Sequence, residues 1–389
     1  MIDKTTKIVI GIAVVLAIVL IGMLVLQPGT ENATGNIGAV DNIKGTTEPI
    51  KIGFVAPLTG DVASIGLGVK AAVEIATSEI NSKGGINGRQ IEIIYEDGKC
   101  NAKEAAAVGN KLINVDRVRY IVGGVCSGET LTISPTAEAN KVVMISPGSS
   151  SPDVTNAGDY IFRDYQTDND AGKALARKIY NELGYKKVAV LWSINDYSEG
   201  YSKVFREEFT RLGGQVVFKE SFTQGTSDLR SALSKVKTSD AESIVFLEYT
   251  AGAITFFKQK KELGIDLPVF AGDTMGDPEI YKAVGTAADG TRYVLSKDSY
   301  TEEFKAKMKS KTGEGSVQIG SPQGYDAVYV LAQAIEAVGD DSTKVKDYLY
   351  KMPAHYGESG KIEFDENGDL KESFFVLWEV QNAKPVLLG

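Results

Sequence analysis

The stretch Tyr120-Ile-Val-Gly-Gly-Val-Cys-Ser-Gly-Glu-Thr130 decides the fold of this chain. Its first three residues favour a β-strand, and Gly123 and Gly124 allow the backbone to turn sharply after it. Ser127 can cap a following helix, whose free N–H groups would attract an anion. Because open α/β sheets bind ligands at the carboxyl ends of their strands, the stretch predicts a strand, a helix and a candidate binding loop between them.

The same alternation of strand and helix runs along both halves of the chain. The predicted strands are Lys51–Val55, Ile91–Tyr95 and Val142–Ile145 in the first half, and Lys187–Trp192, Val216–Phe218, Ile244–Leu247, Val269–Ala271 and Arg292–Leu295 in the second. The predicted helices are Gly66–Ser82, Ala102–Val115, Ala171–Leu183, Tyr201–Leu212, Leu229–Val236, Ala253–Leu263, Glu302–Lys309 and Gln323–Val338. Such alternation is typical of βαβ units, and it predicts an α/β fold of two doubly wound, Rossmann-like lobes.

Size and composition narrow the class of function. A chain of 389 residues exceeds one ordinary core, so two domains are expected. The formal net charge of −9, without a block of basic residues, argues against nucleic-acid binding. One histidine and two cysteines are too few for most Cys/His metal sites and for most histidine-based catalysis. We therefore expect no cofactor, no metal and no enzymatic activity.

The N-terminal segment reads as a membrane anchor. Ile8–Leu26 contains only apolar residues and glycines, and it is long enough to cross the hydrocarbon core of a bilayer. Lys4 and Lys7 precede it, which places the N-terminus in the cytoplasm and the body outside. We expect residues 1–49 to form an uncleaved signal anchor and a flexible tether, with a cleavable signal peptide as the alternative. Asn32-Ala-Thr34 is a glycosylation sequon in the tether.

Several motifs, in order, carry a family resemblance. The first are Ile50-Lys-Ile-Gly-Phe-Val-Ala-Pro-Leu-Thr-Gly60, Lys83-Gly-Gly-Ile-Asn-Gly88 and Tyr95-Glu-Asp97, and the later ones are Cys126-Ser127, Ser146-Pro-Gly148 and Phe162-Arg163 with Asp168. Together they resemble the extracytoplasmic solute-binding proteins of branched-chain amino acid ABC transporters, which have the type I periplasmic binding fold. The resemblance covers the chain from Ile50 to its C-terminus.

The resemblance implies an organisation that periodicity does not show. The chain would cross three times between two hinged lobes, with residues 50–167 and 298–358 in lobe 1 and residues 168–297 and 359–389 in lobe 2. Ile362–Phe364 and Phe374–Val380 would be strands that return to lobe 2. The protein would work as a monomer, capture a small amino acid or related carboxylate between the lobes, and deliver it to the permease subunits.

The two cysteines suggest a covalent link. Cys100 and Cys126 lie outside the predicted membrane segment, just past neighbouring strands, and an even pair in an oxidising compartment favours a disulfide. The family resemblance implies the same pairing between these two loops. Two free buried thiols are the alternative.

The resemblance also implies a ligand site between the strand-exit loops of both lobes. Its members are Ser127, Gly148 and Ser150 around the ligand carboxylate, Tyr197 and Tyr249 as aromatic contacts, and Asp273 at the α-ammonium. Thr274 or Asp277 could replace Asp273 in that role, because the match can shift at this loop. Capping alone is the alternative for the two serines and for Asp273, and packing is the alternative for the tyrosines.

The nature of the ligand is less constrained than the place where it binds. Family members that bind bulky aliphatic amino acids often carry an aromatic residue in the loop Leu58–Gly66, where this chain has Ile65. A branched-chain or other neutral amino acid is favoured, and an amide or a short carboxylate is the alternative. A ligand-sensing ectodomain is a further possibility on the same fold, although the seven residues before Ile8 could not form an output domain.

Overall fold

The computed structural model describes residues 48–297 and 299–388, which fall within a single compact unit. The predicted membrane segment Ile8–Leu26 and the sequon at Asn32 lie outside the described residues. Within the described ranges, no helix combines the length and the apolar character needed to cross a bilayer.

Lobe 1 is built on a five-stranded parallel sheet. Its strands are β1 (Ile50–Ala56), β2 (Ile91–Asp97), β3 (Tyr120–Gly123), β4 (Val143–Ser146) and β5 (Ile161–Arg163), in the order β2-β1-β3-β4-β5. The helices between them are α1 (Ala63–Ser82), α2 (Ala102–Asn110) and α3 (Ser127–Ala139). Strands β3 and β4 are buried at every position, as expected for a parallel sheet that helices cover on both faces.

Lobe 2 is built on a larger sheet. Its strands are β6 (Lys187–Ser193), β7 (Gln215–Phe222), β8 (Ser243–Leu247), β9 (Val269–Ala271), β10 (Arg292–Ser296), β13 (Phe375–Gln381) and β14 (Lys384–Leu387). Between β10 and β13 in the chain, β11 (His355–Gly357) and β12 (Gly360–Ile362) form a separate hairpin. The order in the sheet is β14-β13-β10-β9-β8-β6-β7. Strands β6 to β10 are parallel, whereas β13 and β14 add an antiparallel edge. The predicted α/β class is confirmed.

The remaining helices divide between the two sheets. They are α4 (Asp168–Arg177), α5 (Asp196–Arg211), α6 (Arg230–Lys237), α7 (Thr250–Glu262), α8 (Pro278–Val284), α9 (Glu302–Thr312), α10 (Ser321–Val338) and α11 (Ser342–Leu349). Helix α10 packs on α1 so closely that a Cβ at Gly324 would lie 2.6 Å from the Val69 side chain. Phe304 and Met308 of α9 join the same apolar cluster as Ala71 and Ala72 of α1. Helices α9 and α10 therefore cover lobe 1, although they follow the last parallel strand of lobe 2.

One predicted strand is placed wrongly. Ile362–Phe364 was expected in the lobe 2 sheet, yet β12 ends at Ile362 and pairs with β11. The Phe364 ring packs edge-on against Phe162 of β5, with ring centroids 5.1 Å apart. The apolar alternation of this segment correctly indicates a buried face, but it does not reveal which sheet covers that face.

Two further differences concern the starts of helices. Helix α5 begins at Asp196, five residues before the predicted Tyr201, because the Asn195 side chain caps it by accepting from Ser198 N–H at 2.8 Å. Helix α3 is capped by Cys126, so Ser127 is its first residue and not its cap as expected. Ser127 and Tyr197 therefore both lie in the first turn of a helix, at the end of the sheet where the strands stop.

Candidate functional site

All six residues predicted to contact a ligand line one cavity between the lobes. They are Ser127, Gly148 and Ser150 from lobe 1, and Tyr197, Tyr249 and Asp273 from lobe 2. Ser127 is 1% exposed and Tyr249 is 7% exposed, so both walls are covered. The free volume is about 30 Å³, which means that the lobes are closed on each other. A ligand of ordinary size can enter such a cavity only when the lobes separate.

The wall from lobe 1 is made of short side chains and backbone. Ser127 Oγ accepts from Ser151 N–H at 3.1 Å, and this bond ties the α3 loop to the β4 loop. A Cβ at Gly148 would lie 2.7 Å from the Val125 carbonyl oxygen, so the two loops approach at a distance that only glycine allows. Ser150 Oγ donates to Asp168 Oδ2 at 2.9 Å. Hydroxyl and backbone groups at the start of α3 thus face the cavity without a basic side chain.

The predicted disulfide is confirmed beneath this wall. Cys100 and Cys126 are bonded, with their Cα atoms 5.4 Å apart. The buried Glu129 carboxylate accepts from Cys100 N–H at 2.9 Å and from Cys126 N–H at 3.1 Å. Burial raises the pKa of Glu129 to about 7, although these N–H donors act in the opposite direction. The disulfide and the carboxylate together fix the residue that precedes Ser127.

The wall from lobe 2 is a buried acid held by phenols. Asp273 accepts from Tyr165 Oη at 2.6 Å and from Tyr197 Oη at 2.8 Å. The Tyr197 and Tyr249 rings are 5.2 Å apart and tilted by 31°. Burial raises the pKa of Asp273, and burial together with the negative charge of Asp273 raises the pKa of Asp168. None of the described residues that line the cavity is a lysine or an arginine, so a cationic group of a ligand would meet the Asp273 carboxylate without a competing cation in the lining.

The two alternatives to Asp273 occupy different positions. Thr274 lines the cavity, but its hydroxyl donates to the Glu248 carbonyl oxygen at 2.8 Å. Asp277 is buried outside the cavity lining, where it accepts from Ser64 Oγ and from Thr250 Oγ1, both at 2.6 Å. Asp277 therefore links the lobes, and Asp273 is the acid that faces the cavity.

Sequence reasoning missed part of the lining. Tyr165, Val62 and Ile319 also line the cavity, and Asp168 lies directly behind Ser150. Tyr165 follows the Phe162-Arg163 motif by two residues, and this position could have indicated a role at the crossing between lobes. Ile319 comes from the segment before α10, where no periodic pattern marks it.

Comparison with known proteins agrees with this geometry. A family model described as "Periplasmic binding protein" matches residues 49–382. The leucine-, isoleucine-, valine-, threonine-, and alanine-binding protein of Pseudomonas aeruginosa is 31% identical over 342 residues, which are 85% of this chain and 90% of that protein.

Solved structures show the same architecture. A leucine binding protein of Thermotoga maritima superposes with a TM-score of 0.81 at 31% identity, over 87% of this chain and 98% of that one. A branched-chain amino acid transporter substrate binding protein of Streptococcus pneumoniae, in complex with isoleucine, has a TM-score of 0.79 at 28% identity, over 87% and 99% of the two chains. These relatives are solute-binding proteins and not enzymes. The chain belongs to the periplasmic binding protein family, with the two-lobed type I fold.

Proposed function

We propose that this protein captures a neutral amino acid between its lobes and delivers it to the permease of an ABC transporter. The observation that carries the proposal is the buried Asp273 carboxylate, which faces the start of α3 across a closed cavity. One end of the cavity attracts a cation and the other end offers donors to an anion. A free α-amino acid carries both charges on adjacent groups.

The ammonium end of the ligand is assigned to Asp273. A buried carboxylate without a charged partner is costly, and a ligand ammonium would remove that cost. The phenols of Tyr165 and Tyr197 already hold both carboxylate oxygens in place, so little ordering remains when the ligand arrives. Asp168 lies nearby and adds to the negative potential that an ammonium would experience.

The carboxylate end is assigned to the Ser127 hydroxyl and to the backbone at Gly148 and Ser150, because the Ser150 hydroxyl already donates to Asp168. The first turn of α3 presents N–H groups whose partial positive charge favours an anion. The close approach at Gly148 brings backbone of the β4 loop to the same point. Neutral donors are sufficient here, because a zwitterion carries no net charge into the cavity.

The side chain of the ligand would lie among apolar groups. Val62, Ile65 and Ile319 line the cavity together with the face of Tyr249. This lining favours an aliphatic side chain, in agreement with the leucine, isoleucine and valine for which the relatives are named. We therefore favour leucine, isoleucine and valine as ligands, ahead of polar amino acids.

Delivery would follow from hinge closure. The ligand would bridge residues 50–167 and 168–297 and so stabilise the closed form over the open one. The remaining segments would complete the lobes, 298–358 in the first and 359–389 in the second, apart from the stretch near Phe364 that packs on β5. We place the body outside the cell, held at the membrane by Ile8–Leu26, where a monomer could meet its permease.

A matched pair of ligands and one variant test the proposal. Leucine and 4-methylpentanoate differ only in the α-amine, and both can be titrated by calorimetry into the full-length protein in mild detergent. We expect leucine to bind at least tenfold more tightly, and we expect Asp273→Asn to remove most of that difference, because a charged buried hydrogen bond is worth about 1.5–3 kcal/mol. Equal affinity for the two ligands, or tighter binding of benzoate, would show that the site takes amine-free carboxylates.

A further inference from the structure

A second cavity lies on the hinge side of the molecule. Its free volume is about 490 Å³, within the range of sites that hold small organic molecules. The first two crossings between the lobes contribute Tyr165 and Ser296–Lys297 to its lining. Lobe 2 contributes Trp378 of β13, and lobe 1 contributes Gln318 and Gln323 around the start of α10. The cavity shares Tyr165, Ile319 and Gly320 with the interlobe cleft, but none of the six residues predicted to contact the amino acid lines it.

Buried polar atoms in the lining lack partners. Trp378 Nε1, Gln318 Oε1 and Gln323 Oε1 are all covered from solvent and make no hydrogen bond within residues 48–297 and 299–388. Buried polar groups are normally hydrogen-bonded, and leaving one unpaired costs about 1–3 kcal/mol. The indole N–H can only donate, whereas a glutamine amide can turn to donate or to accept. These groups would be satisfied by a polar solute in the cavity.

The electrostatic field in the cavity favours an anion. Among the described charged residues of its lining, three are lysines and one is an acid: Lys297, Lys305, Lys384 and Glu358. Lys305 pairs with Glu302 at 3.4 Å, and Glu358 accepts from Thr301 N–H at 2.7 Å and from its hydroxyl at 3.0 Å, so the positive field is assigned to Lys297 and Lys384.

A helix start adds to this field. Helix α10 has 18 residues, begins after Gly320 without a side-chain cap, and presents Pro322 and Gln323 to the cavity. The positive end of its dipole therefore points to the same space as the lysines and the unpaired indole N–H.

The walls favour a flat apolar body. The lining includes three aromatic residues, Tyr281, Tyr293 and Trp378, and the apolar residues Leu295, Pro278 and Pro385. Aromatic walls bind planar rings by stacking and edge contacts, and a tryptophan N–H at the wall fixes the polar end of such a ligand.

We propose that this hinge-side cavity is a second binding site, which takes an aromatic carboxylate. The ring lies between Tyr281 and Trp378, and the carboxylate lies between Lys297, Lys384 and the start of α10. The site contains none of the six residues assigned to the amino acid, and the proposal does not depend on which amino acid the cleft takes.

The two tryptophans of the chain allow a direct measurement. In a Trp192→Phe variant, Trp378 is the only tryptophan, so its fluorescence reports on the hinge-side cavity. The probe is 4-nitrobenzoate, a quencher of indole fluorescence, and 4-nitrobenzylamine is the matched cation. We expect saturable quenching of the full-length variant by the anion, with at least tenfold weaker binding of the cation. Absence of saturable quenching, or equal affinity for both probes, would overturn the proposal.

Two further variants separate this site from the interlobe cleft. Lys297 and Lys384 are exposed, so Lys297→Gln with Lys384→Gln should leave folding intact, and we expect it to weaken 4-nitrobenzoate by about tenfold without changing leucine affinity. Ser127→Ala should weaken leucine binding and leave the quenching of Trp378 fluorescence by 4-nitrobenzoate unchanged. If Ser127→Ala abolishes quenching while the lysine variant keeps it, the probe binds in the cleft and the second site does not exist.

Discussion

Asp164 is a buried acid at the end of β5, and its carboxylate makes no hydrogen bond within the described part of the chain. It follows β5 and is 1% exposed, and neither of its oxygens has a partner in the described part of the chain. Burial raises its pKa well above the usual range, and the nearby Asp326 adds to the effect. Asp326 itself is held by Glu358 N–H and Ser359 N–H. Two buried acids, one after β5 and one on α10, therefore repel each other in this part of the molecule.

The pKa of Asp164 gives a prediction with a definite sign. An acid whose pKa is raised in the folded state stabilises that state below its unfolded pKa, and the stabilisation is lost as the pH rises through the folded pKa. We therefore expect the free energy of unfolding of Asp164→Asn, relative to the natural protein, to increase from pH 4 to pH 8. Urea unfolding at several pH values measures this difference, with pH 4 as the internal reference. A difference that does not change with pH would contradict the assignment.

The predicted site residues lie together in space for a reason that the sequence contains. Apolar strands end within four residues before each of Ser127, Tyr197, Tyr249 and Asp273, and parallel strands end at a common edge. The sequence could not indicate the partners of Asp273, because Tyr165 lies 108 positions before it. It also left Thr274 and Asp277 open as alternatives to Asp273. Only the orientation of the loop places Asp273 in the cavity and Asp277 at the contact between the lobes.

At the scale of elements, the loops after β2 and β3 act as one unit. The disulfide joins them, and the Glu129 carboxylate accepts from an N–H group in each. Gly123 has a φ of 128°, and a Cβ there would collide with the Val55 carbonyl oxygen. The glycines in the opening stretch therefore serve the close approach of β1 and β3, and the covalent bond fixes the helix that follows.

Removal of the disulfide should affect stability and binding together. The bonded cysteines are 26 positions apart, and a link across such a loop is worth about 3 kcal/mol in the chain-entropy model. We expect the double variant Cys100→Ser, Cys126→Ser to have a free energy of unfolding lower by about that amount and a weaker affinity for leucine. Urea unfolding and calorimetry measure both, with the dithiothreitol-reduced natural protein as the control. A double variant as stable as the natural protein would show that non-covalent contacts alone hold the two loops in place.

Element boundaries were predictable where local chemistry defines them. Strand Val269–Ala271 matches the prediction fully, since charge and glycine follow it at once. Strand β14 was missed, because Lys384–Leu387 is exposed throughout and lacks alternation. The return of the chain near Ile362 was predicted on the wrong lobe, because the contact with Phe162 joins residues far apart in sequence.

At the scale of the whole molecule, hydrogen bonds across the cleft hold the lobes closed. Ser64 on α1 donates to Asp277 of lobe 2. Near the hinge, Ser296 N–H donates to Gln166 Oε1 at 3.0 Å. Gly200 lies against Pro152 and Ser151 on the other side, where a Cβ would come within 2.8 Å of the proline ring. The lobe pairing itself could be inferred from the family resemblance, whereas these individual bonds could not.

The Ser64–Asp277 bond should control how long the cleft stays shut. A hydrogen bond to a charged group contributes about 1.5–3 kcal/mol, so we expect Ser64→Ala to speed leucine release by about tenfold. Stopped-flow displacement measures this rate. Ser82→Ala is the matched control, because Ser82 lies at the far end of the same helix and donates only to Glu79 O in the described structure. An unchanged release rate in Ser64→Ala would show that the bond does not limit opening.

Tyr165 belongs to the walls of both cavities, and its hydroxyl holds Asp273. A solute that contacts its ring from the hinge side would therefore shift the hydroxyl that positions Asp273, and so change the affinity of the cleft for an ammonium group. Linkage is reciprocal, so whatever factor an aromatic carboxylate applied to amino acid affinity, the amino acid would apply to it in return. Uptake of one nutrient would then respond to the abundance of a chemically unrelated one, through a single phenol.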